Sequence, residues 1–313
     1  MYDKVKLWID RGSVGEFFPS IPQYLDEANG LVDLKTGEER VYGYVGGLKV
    51  SIQARGVYMI GSLPKFLFGS NAYTLDMHTT KEALQKLADT LHIDVNQAKV
   101  TGLEFGTNFI MRYSVGEYLQ RLGSIPRLQR EHIGNSLYYK GTGKKQPKVL
   151  CFYDKQQQLE DTGKEVPDGL GGSNMLRYEV RLNGRLRERL KQPEVLALSL
   201  ADPDVYKLLV KLYQDNYFSI KKSKQAKYMN KDQIKTPKDA YDVFVARLVS
   251  NTPQDQISSY IEELKRDNVF EDAKYYTRVK NKLQDVLQKT GAFVPDELIK
   301  ELDAEIRNVG AYI

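Results

Sequence analysis

The hydrophobic pattern of this chain changes its period once, and that change constrains the fold more than any other feature. Up to about residue 195, apolar residues alternate with polar ones or form short runs, as in Leu48–Gln53 and Val57–Ser62, which is typical of strands. From Pro203 onward the period is close to 3.6, which predicts helices. We therefore predict an α+β fold, with an antiparallel-rich sheet and flanking helices over residues 1–200 and a helical C-terminal region over residues 201–313.

The order of the predicted elements places several charged residues on strands. We expect a helix capped by Thr79 and Thr80, and a loop rich in glycine and polar residues over Asp161–Asn174. The predicted strands that carry candidate chemistry are Lys99–Arg112, Lys148–Lys155 and Met175–Leu182.

Composition excludes several classes of protein. The single cysteine, Cys151, rules out an internal disulfide and a cysteine-based metal cluster, and it fits a reducing cytoplasm. Apolar runs are too short and too interrupted for a membrane span, so we expect no membrane association. The three histidines lie in separate segments, which makes a zinc site improbable, and there is no phosphate-binding loop of the ATPase type.

The first candidate is a carboxylate on a predicted strand, beside a glycine and an amide. Because side chains alternate across a strand, Glu104, Gly106 and Asn108 share one face, and Leu103 and Phe105 take the other. The glycine leaves space beside the acid that a hard cation could occupy. The alternative is a solvent-facing glutamate on a half-exposed sheet, and this segment alone does not decide between them.

The second candidate is a tyrosine followed two positions later by a lysine. Tyr153 and Lys155 project from the same face of a strand that we expect to end at Lys155. A phenol with a pKa of about 10 is a poor nucleophile, but a neighbouring ammonium favours the phenolate and neutralises a phosphoryl oxygen. The pair suits attack on a phosphodiester, although the chain has 21 tyrosines and strands commonly contain them.

The third candidate is an acid between two arginines. Arg177, Glu179 and Arg181 share one face of their predicted strand. The carboxylate suits Mg²⁺, and the guanidinium groups suit phosphates. A ladder of cross-strand salt bridges is the alternative.

Basic residues also cluster outside these strands. The net charge of +5 permits a polyanionic partner without requiring one. We expect contacts with nucleic-acid phosphates from the clustered lysines and the two strand arginines, and a solvated surface is the alternative for each cluster. These candidates are Lys144, Lys145, Lys148, Lys221, Lys222, Lys224, Arg177 and Arg181.

The three strands in this order resemble a known family. An acidic strand, a Tyr-x-Lys strand and the strand Arg177–Arg181 resemble the replication proteins of filamentous phages, the gene II/X family, and are similar to plasmid replication initiators of the Rep-trans type. The segment Ile60–Asn71 also looks like the sequence that follows the first hairpin of that family. The resemblance covers about residues 40–200 and extends only loosely into the helical region.

The resemblance implies a metal-dependent nickase that starts rolling-circle replication of a phage or plasmid. It implies that Tyr153 becomes joined to DNA in a 5′-phosphotyrosyl link with Lys155 as its partner, and that Glu104 and Glu179 hold Mg²⁺ or Mn²⁺. Asn108 falls where plasmid relatives often carry a second acid. The implied partners are the replication origin, as single-stranded or extruded DNA, and host helicase and polymerase. Whether the helical region binds DNA, forms a homodimer or caps the sheet stays open.

Two other functions stay open at this point. One is a relaxase that nicks DNA for mobilisation rather than for copying. The other is a non-catalytic regulator that binds the origin. The joint presence of Glu104, Tyr153 and Glu179 argues against the regulator, since a protein that only binds DNA needs none of them.

Overall fold

A computed structural model describes residues 1–32, 34–143, 147–164, 171–222, 224–226, 234–252, 254–289 and 293–310. Within these ranges ten strands form one antiparallel sheet in the order β2-β3-β4-β5-β1-β6-β10-β9-β8-β7. The ten strands are β1 Tyr2–Asp10, β2 Asp26–Val32, β3 Glu39–Val45, β4 Leu48–Gln53, β5 Gly56–Ser62, β6 Lys99–Met111, β7 Gln129–Ile133, β8 Ser136–Lys140, β9 Lys148–Asp154 and β10 Asn174–Leu182. A separate two-stranded ribbon pairs β11 Lys224–Ala226 with β12 Phe293–Pro295.

Helices connect and cover these strands. The α-helices are α1 Arg11–Val14, α2 Leu63–Phe68, α3 Met77–Leu91, α4 Val115–Arg121, α5 Lys155–Asp161, α6 Leu186–Leu190, α7 Pro203–Phe218, α8 Pro237–Asn251, α9 Gln254–Arg266, α10 Lys274–Lys289 and α11 Glu297–Asn308. Short 3-10 helices span Gly15–Tyr24, Val95–Gln97 and Ala197–Ala201. None of the helices in the described part of the chain has the length and apolarity that a membrane span requires. The predicted α+β class, with its antiparallel sheet and helical C-terminal part, is confirmed.

The sheet buries one face against α3, α7 and α11. Alternate residues of the central strands, such as Val5, Phe105 and Val180, are almost completely buried in this core. Tyr178 stacks between Phe152 and Tyr213, with ring centroids 4.2 Å from each. We call the opposite face, which carries Glu104 and Glu179, the site face.

Helix α7 therefore belongs to the core of the sheet although it follows residue 200. Tyr213 on α7 and Tyr178 on β10 each donate a side-chain hydroxyl to the other's backbone carbonyl, at 3.2 Å. Leu302 and Ile306 of α11 are completely buried in the same core. The division of the chain at residue 200 remains a prediction.

Three local expectations differ from the structure. Helix α3 begins at Met77 with Asp76 as its N-cap, because the Asp76 carboxylate accepts the backbone N–H of Thr79 in a capping box. Strand β9 ends at Asp154, whose carboxylate caps the next helix, so Lys155 is the first residue of α5 rather than the end of a strand. Strands β2, β3, β7 and β8 were not expected, and most residues of β2 and β7 are exposed, which removes the alternation that marks a strand.

Candidate active site

Cross-strand pairing brings the three candidate strands together on the site face. Strand β10 lies between β6 and β9, so its side chains meet those of both neighbours. The directly opposed pairs are Arg181 with Glu104, Glu179 with Gly106, Arg177 with Asn108, and Arg177 with Tyr153. The alternation that we predicted for each strand thus places the expected residues side by side.

Gly106 allows the close approach of β6 and the Glu179 side chain. A Cβ atom at this position would lie 2.4 Å from the backbone oxygen of Tyr178 and 3.0 Å from the Cγ atom of Glu179. Contacts below about 3 Å do not occur between real carbon atoms, so any larger residue would displace Glu179. The space expected beside the acid is occupied by Glu179 itself.

A third carboxylate, Asp3, reaches the site because β1 carries an irregularity. Tyr2 pairs with Phe105 and Val5 pairs with Leu103, so two residues of β1 stand opposite the single residue Glu104. Such a bulge re-aims side chains and is common beside functional sites. Asp3 is 4% exposed, and its carboxylate contacts Arg177 of the site face rather than the apolar core.

The three carboxylates form one compact cluster. One ligand oxygen each from Asp3, Glu104 and Glu179 lies within 4.8 Å of the others. Carboxylate oxygens are the ligands that Mg²⁺ and Mn²⁺ prefer, so the donor set fits a hard divalent cation.

Arg177 organises this cluster from below. Its side chain is completely buried, and its guanidinium donates to Glu179 Oε1 at 2.6 Å, to Asp3 Oδ2 at 2.5 Å and to Asn108 Oδ1 at 3.0 Å. Ser62 Oγ donates to the other oxygen of Asp3 at 2.6 Å. In this arrangement Arg177 fixes the positions of two acids and does not face solvent, and the Asn108 amide binds Arg177 and the Ala72 carbonyl.

Glu179 joins the cluster to Tyr153. The Tyr153 hydroxyl donates to Glu179 Oε1 at 2.7 Å, and Arg181 donates two hydrogen bonds to Oε2 at 2.9 and 3.0 Å. Burial alone would raise the pKa of Glu179, but Arg177 and Arg181 outweigh it and lower that pKa to about 2. Burial and the adjacent Glu179 carboxylate raise the pKa of the Tyr153 phenol well above its usual range.

Glu104 differs from the other two acids because no described residue donates a strong hydrogen bond to its oxygens. Among the described residues its nearest cation is Arg181, whose Nε lies 3.9 Å from Glu104 Oε1. Burial raises the pKa of Glu104, and the neighbouring carboxylates of Glu179 and Asp3 add to that effect. A divalent cation would stabilise a half-buried carboxylate that stands beside two others.

Lys155 lies under the site rather than at its surface. Its side chain is completely buried at the start of α5, and Nζ donates to Gln158 Oε1 at 2.8 Å. Burial and the positive charge of Arg177 lower the pKa of Lys155 to about 8. Lys155 therefore stays mostly charged at neutral pH and loses its proton about two pH units lower than an exposed lysine does.

Most of the lysines that we expected to contact DNA have other partners or lie outside the described residues. Lys148 Nζ donates to Asn216 Oδ1 at 2.5 Å, and Lys222 Nζ donates to Asp303 Oδ1 at 2.9 Å while lying over the Tyr217 ring. Lys221 is exposed. Lys144 and Lys145 lie outside the described residues, and so does the side chain of Lys224.

The cluster opens into a cleft with a volume of about 560 Å³. Its floor contains Tyr153 and the three carboxylates, and its walls carry lysines that the sequence analysis did not select. These lysines are Lys4, Lys49, Lys65 and Lys164.

The sequence analysis also missed Asp3. The sequence held one signal, because Asp3 is a carboxylate in phase with the apolar residues Val5, Leu7 and Ile9 of the same strand. An acid at a core position indicates either an ion pair or a break in the alternation, and here both are present.

Known proteins offer a family model and a solved structure to which this chain is similar. A family model for the N-terminal part of the replication-associated gene II protein matches residues 40–209, which is more than half of the 313 residues. No curated protein sequence matches the chain. Among solved structures, the chain is similar to a rolling circle replication initiator protein from Geobacillus stearothermophilus, with a TM-score of 0.39 and 11% sequence identity over 74% of this chain and 89% of that chain.

Proposed function

The chain belongs to the family of replication-associated proteins of the phage gene II type, and on that premise we propose that it is a rolling-circle replication initiator that nicks DNA through Tyr153. One observation carries this proposal. The Tyr153 hydroxyl lies 2.7 Å from Glu179, within a cluster of three carboxylates at the floor of an open cleft.

The proposed reaction is an in-line transfer of a DNA phosphate to the tyrosine. A bond forms between the Tyr153 hydroxyl oxygen and phosphorus, and the bond from phosphorus to the 3′ oxygen breaks, which leaves a 5′-phosphotyrosyl link and a free 3′-OH. Glu179 Oε1 is the acceptor that the geometry offers for the phenol proton, and the 3′ oxygen gains a proton as it leaves. The energy of the broken bond is stored in the new phosphodiester, so later rejoining needs no ATP.

The residues that would hold Mg²⁺ or Mn²⁺ are Glu104, Asp3 and Glu179. When bound, such a cation would polarise the scissile phosphate and favour the ionised phenol. Asn108 is proposed to support this site through Arg177, whose Nη1 it binds, rather than as a ligand of its own.

Three cationic side chains take different roles in this proposal. Arg181 keeps 30% of its side chain exposed beside Glu179, so it is placed to contact a phosphate at the floor of the cleft. Arg177 is buried, and we assign it the positioning of Asp3 and Glu179. Lys155 is assigned the stabilisation of negative charge that develops near Tyr153.

The test is covalent capture of DNA by the full chain. Wild-type protein incubated with a single-stranded origin oligonucleotide and Mg²⁺ should form an adduct that migrates slowly in denaturing gels, and mass spectrometry should place the nucleotide on Tyr153. Tyr153→Phe should form no adduct. Tyr138→Phe is the matched control, because Tyr138 lines the same cleft and should leave adduct formation intact.

The metal is tested with the same oligonucleotide. EDTA and the variant Glu104→Gln should each abolish the adduct while the protein still binds DNA. An adduct that forms unchanged in EDTA would remove the metal from the proposal. Binding without any adduct under all conditions would instead indicate a regulator that only occupies the origin.

A further inference from the structure

The site face continues beyond the carboxylates onto β1, β5, β4 and β3. On β1 the core-facing residues Val5 and Leu7 are completely buried, whereas the residues of the site face are half-buried. Cross-strand pairs align the exposed and half-buried side chains of this face in two rows. One row contains Tyr44, Lys49, Ile60 and Lys6, and the next contains Tyr42, Ser51, Tyr58 and Trp8.

The lysines of this surface lack acidic partners within the described part of the chain. Lys6 Nζ donates to the neutral Asn183 side chain at 3.0 Å, and Lys49 Nζ lies over the Tyr42 ring at 5.1 Å. Lys4 makes no ion pair within 4.0 Å among the same residues, and it lines the cleft that contains Tyr153. The three ammonium groups thus form no close ion pair among the described residues, and they extend from the candidate active site along the sheet.

Aromatic rings lie in the row next to Lys6 and Lys49. Trp8 and Tyr58 are direct cross-strand neighbours, and Tyr42 follows two strands away in the same row. Two glycines in neighbouring strands make room for this arrangement. A Cβ atom at Gly56 would lie 2.8 Å from the Trp8 ring, and one at Gly102 would lie 2.7 Å from the Lys6 stem.

We propose that this surface, formed by Lys4, Lys6, Lys49, Trp8, Tyr42 and Tyr58 and called here the strand platform, binds the single strand of DNA that adjoins the scissile phosphate. This inference deepens the proposed function and rests on it. Bases stack on the aromatic rings, and the lysines contact the backbone phosphates. Along β6, nine residue steps separate Lys99, which pairs with Trp8, from Asn108, which lies level with Tyr153 across Arg177 of β10. This corresponds to about 30 Å of strand.

The chemistry of the platform favours a single strand over a duplex. Rings on a sheet face stack with unpaired bases, whose faces are accessible only outside a double helix. A duplex would offer this surface phosphates alone, and the aromatic residues would then contribute little. The three lysines on the platform supply a salt-dependent attraction in either case.

The experiment uses fluorescence of Trp8, which is the single tryptophan of the chain. Full-length Tyr153→Phe protein, which binds without reacting, is titrated with an oligothymidylate of about 16 nucleotides, the upper end of site sizes for surfaces of this kind. Binding is followed in parallel by anisotropy of a labelled oligonucleotide. We expect saturable quenching of Trp8 fluorescence that parallels the anisotropy change.

Variants distinguish binding at the strand platform from nonspecific electrostatic attraction of DNA. Lys6→Ala combined with Lys49→Ala should weaken binding about 10-fold and reduce the slope of log affinity against log salt by about 1 to 2. Lys81→Ala is the matched control, because Lys81 is an exposed lysine on α3, which packs on the other side of the sheet, and it should leave affinity unchanged. Trp8→Ala should also weaken binding about 10-fold in the anisotropy assay, and Trp8→Phe should recover most of it.

Several results would overturn the platform. The first is an anisotropy change without quenching of Trp8 fluorescence, and the second is an equal loss of affinity for Lys81→Ala and the platform variants. The others are equal or tighter binding of a duplex of the same length, and no binding of the oligonucleotide at all. The covalent adduct on Tyr153 is measured separately with wild-type protein. An adduct without platform binding overturns only this inference, whereas platform binding without an adduct overturns only the nicking function.

Discussion

At the centre of the carboxylate cluster, Arg177 and Glu179 form an ion pair that solvent does not reach. The Glu179 side chain is 2% exposed and accepts hydrogen bonds from Arg177, Arg181 and Tyr153. Removing one partner from a buried pair leaves an uncompensated charge, which commonly costs about 3–5 kcal/mol. Loss of either Arg177 or Glu179 should therefore destabilise the fold as well as the site.

The lowered pKa of Glu179 predicts a specific acid dependence of stability. A carboxyl with a pKa of about 2 in the folded state and 4.5 in the unfolded state stabilises the fold above pH 4.5, and this contribution is lost as the pH falls towards 2. Glu179→Gln should therefore lower the free energy of unfolding at pH 7, and the difference from wild type should shrink below pH 4.5. Urea denaturation between about pH 3 and pH 7 measures this.

The control for that series is Glu297→Gln. Glu297 is an exposed residue of α11 that pairs with Lys300, and such pairs contribute less than about 1 kcal/mol. A difference between Glu179→Gln and wild type that stays constant with pH would contradict the assignment of a lowered pKa.

Lys155 makes the opposite prediction, because its burial disfavours the charged form. The pKa of Lys155 is about 8 in the folded state and 10.5 in the unfolded state. The free-energy cost of burying its ammonium group is therefore full below pH 8, and it disappears as the pH rises towards 10.5. Lys155→Met should raise the free energy of unfolding by about 1 to 3 kcal/mol at pH 7 and should reduce adduct formation. Lys164→Met, at an exposed position nearby, should change neither stability nor the pH trend. A destabilised Lys155→Met would show that the ammonium is held by favourable partners instead.

The facing of the side chains on β6 and β10 was predictable, because alternation along a strand fixes which of them share a face. Glu104 with Gly106, and Arg177 with Glu179, lie on the faces that a period of two assigns to them. Asp3 was not predictable in this way, because the bulge in β1 shifts the alternation by one residue. The partners of Lys148 and Lys222 were not predictable either, since Asn216 and Asp303 are distant in sequence and come close only when α7 and α11 pack.

The pairing of β6 with β10 predicts that one methyl group would disrupt the site. Gly106→Ala would place a carbon 2.4 Å from the Tyr178 carbonyl oxygen, so β10 and Glu179 must move. We expect a loss of about 1–3 kcal/mol in the free energy of unfolding and loss of the Tyr153 adduct. The control is Gly116→Ala in α4, where a Cβ meets nothing within 4 Å and alanine favours the helix. An active, stable Gly106→Ala would mean that the two strands tolerate separation.

At the scale of the whole molecule, the chain leaves the sheet and returns to it. Helix α7 covers the core face, and β11 then pairs with β12, which directly precedes α11. Helix α11 then packs back against the core. The Tyr118 hydroxyl of α4 donates to Glu301 of α11, and the Tyr217 hydroxyl of α7 donates to Asp303 of α11. Helices α8 to α10 lie between the two strands of the ribbon in sequence.

This path predicts which part of the chain can be removed. Ala226 and Phe293 are paired neighbours in the ribbon, so a two-residue Asn-Gly turn can replace residues 227–292 without separating them. We expect the shortened protein to unfold cooperatively in urea and to form the Tyr153 adduct. A chain that ends at residue 200 should not fold, because it lacks α7 and exposes Phe105 and Tyr178 to water. If the 200-residue chain folds and the internal deletion does not, the boundary lies at residue 200 and helices α8 to α10 are part of the core.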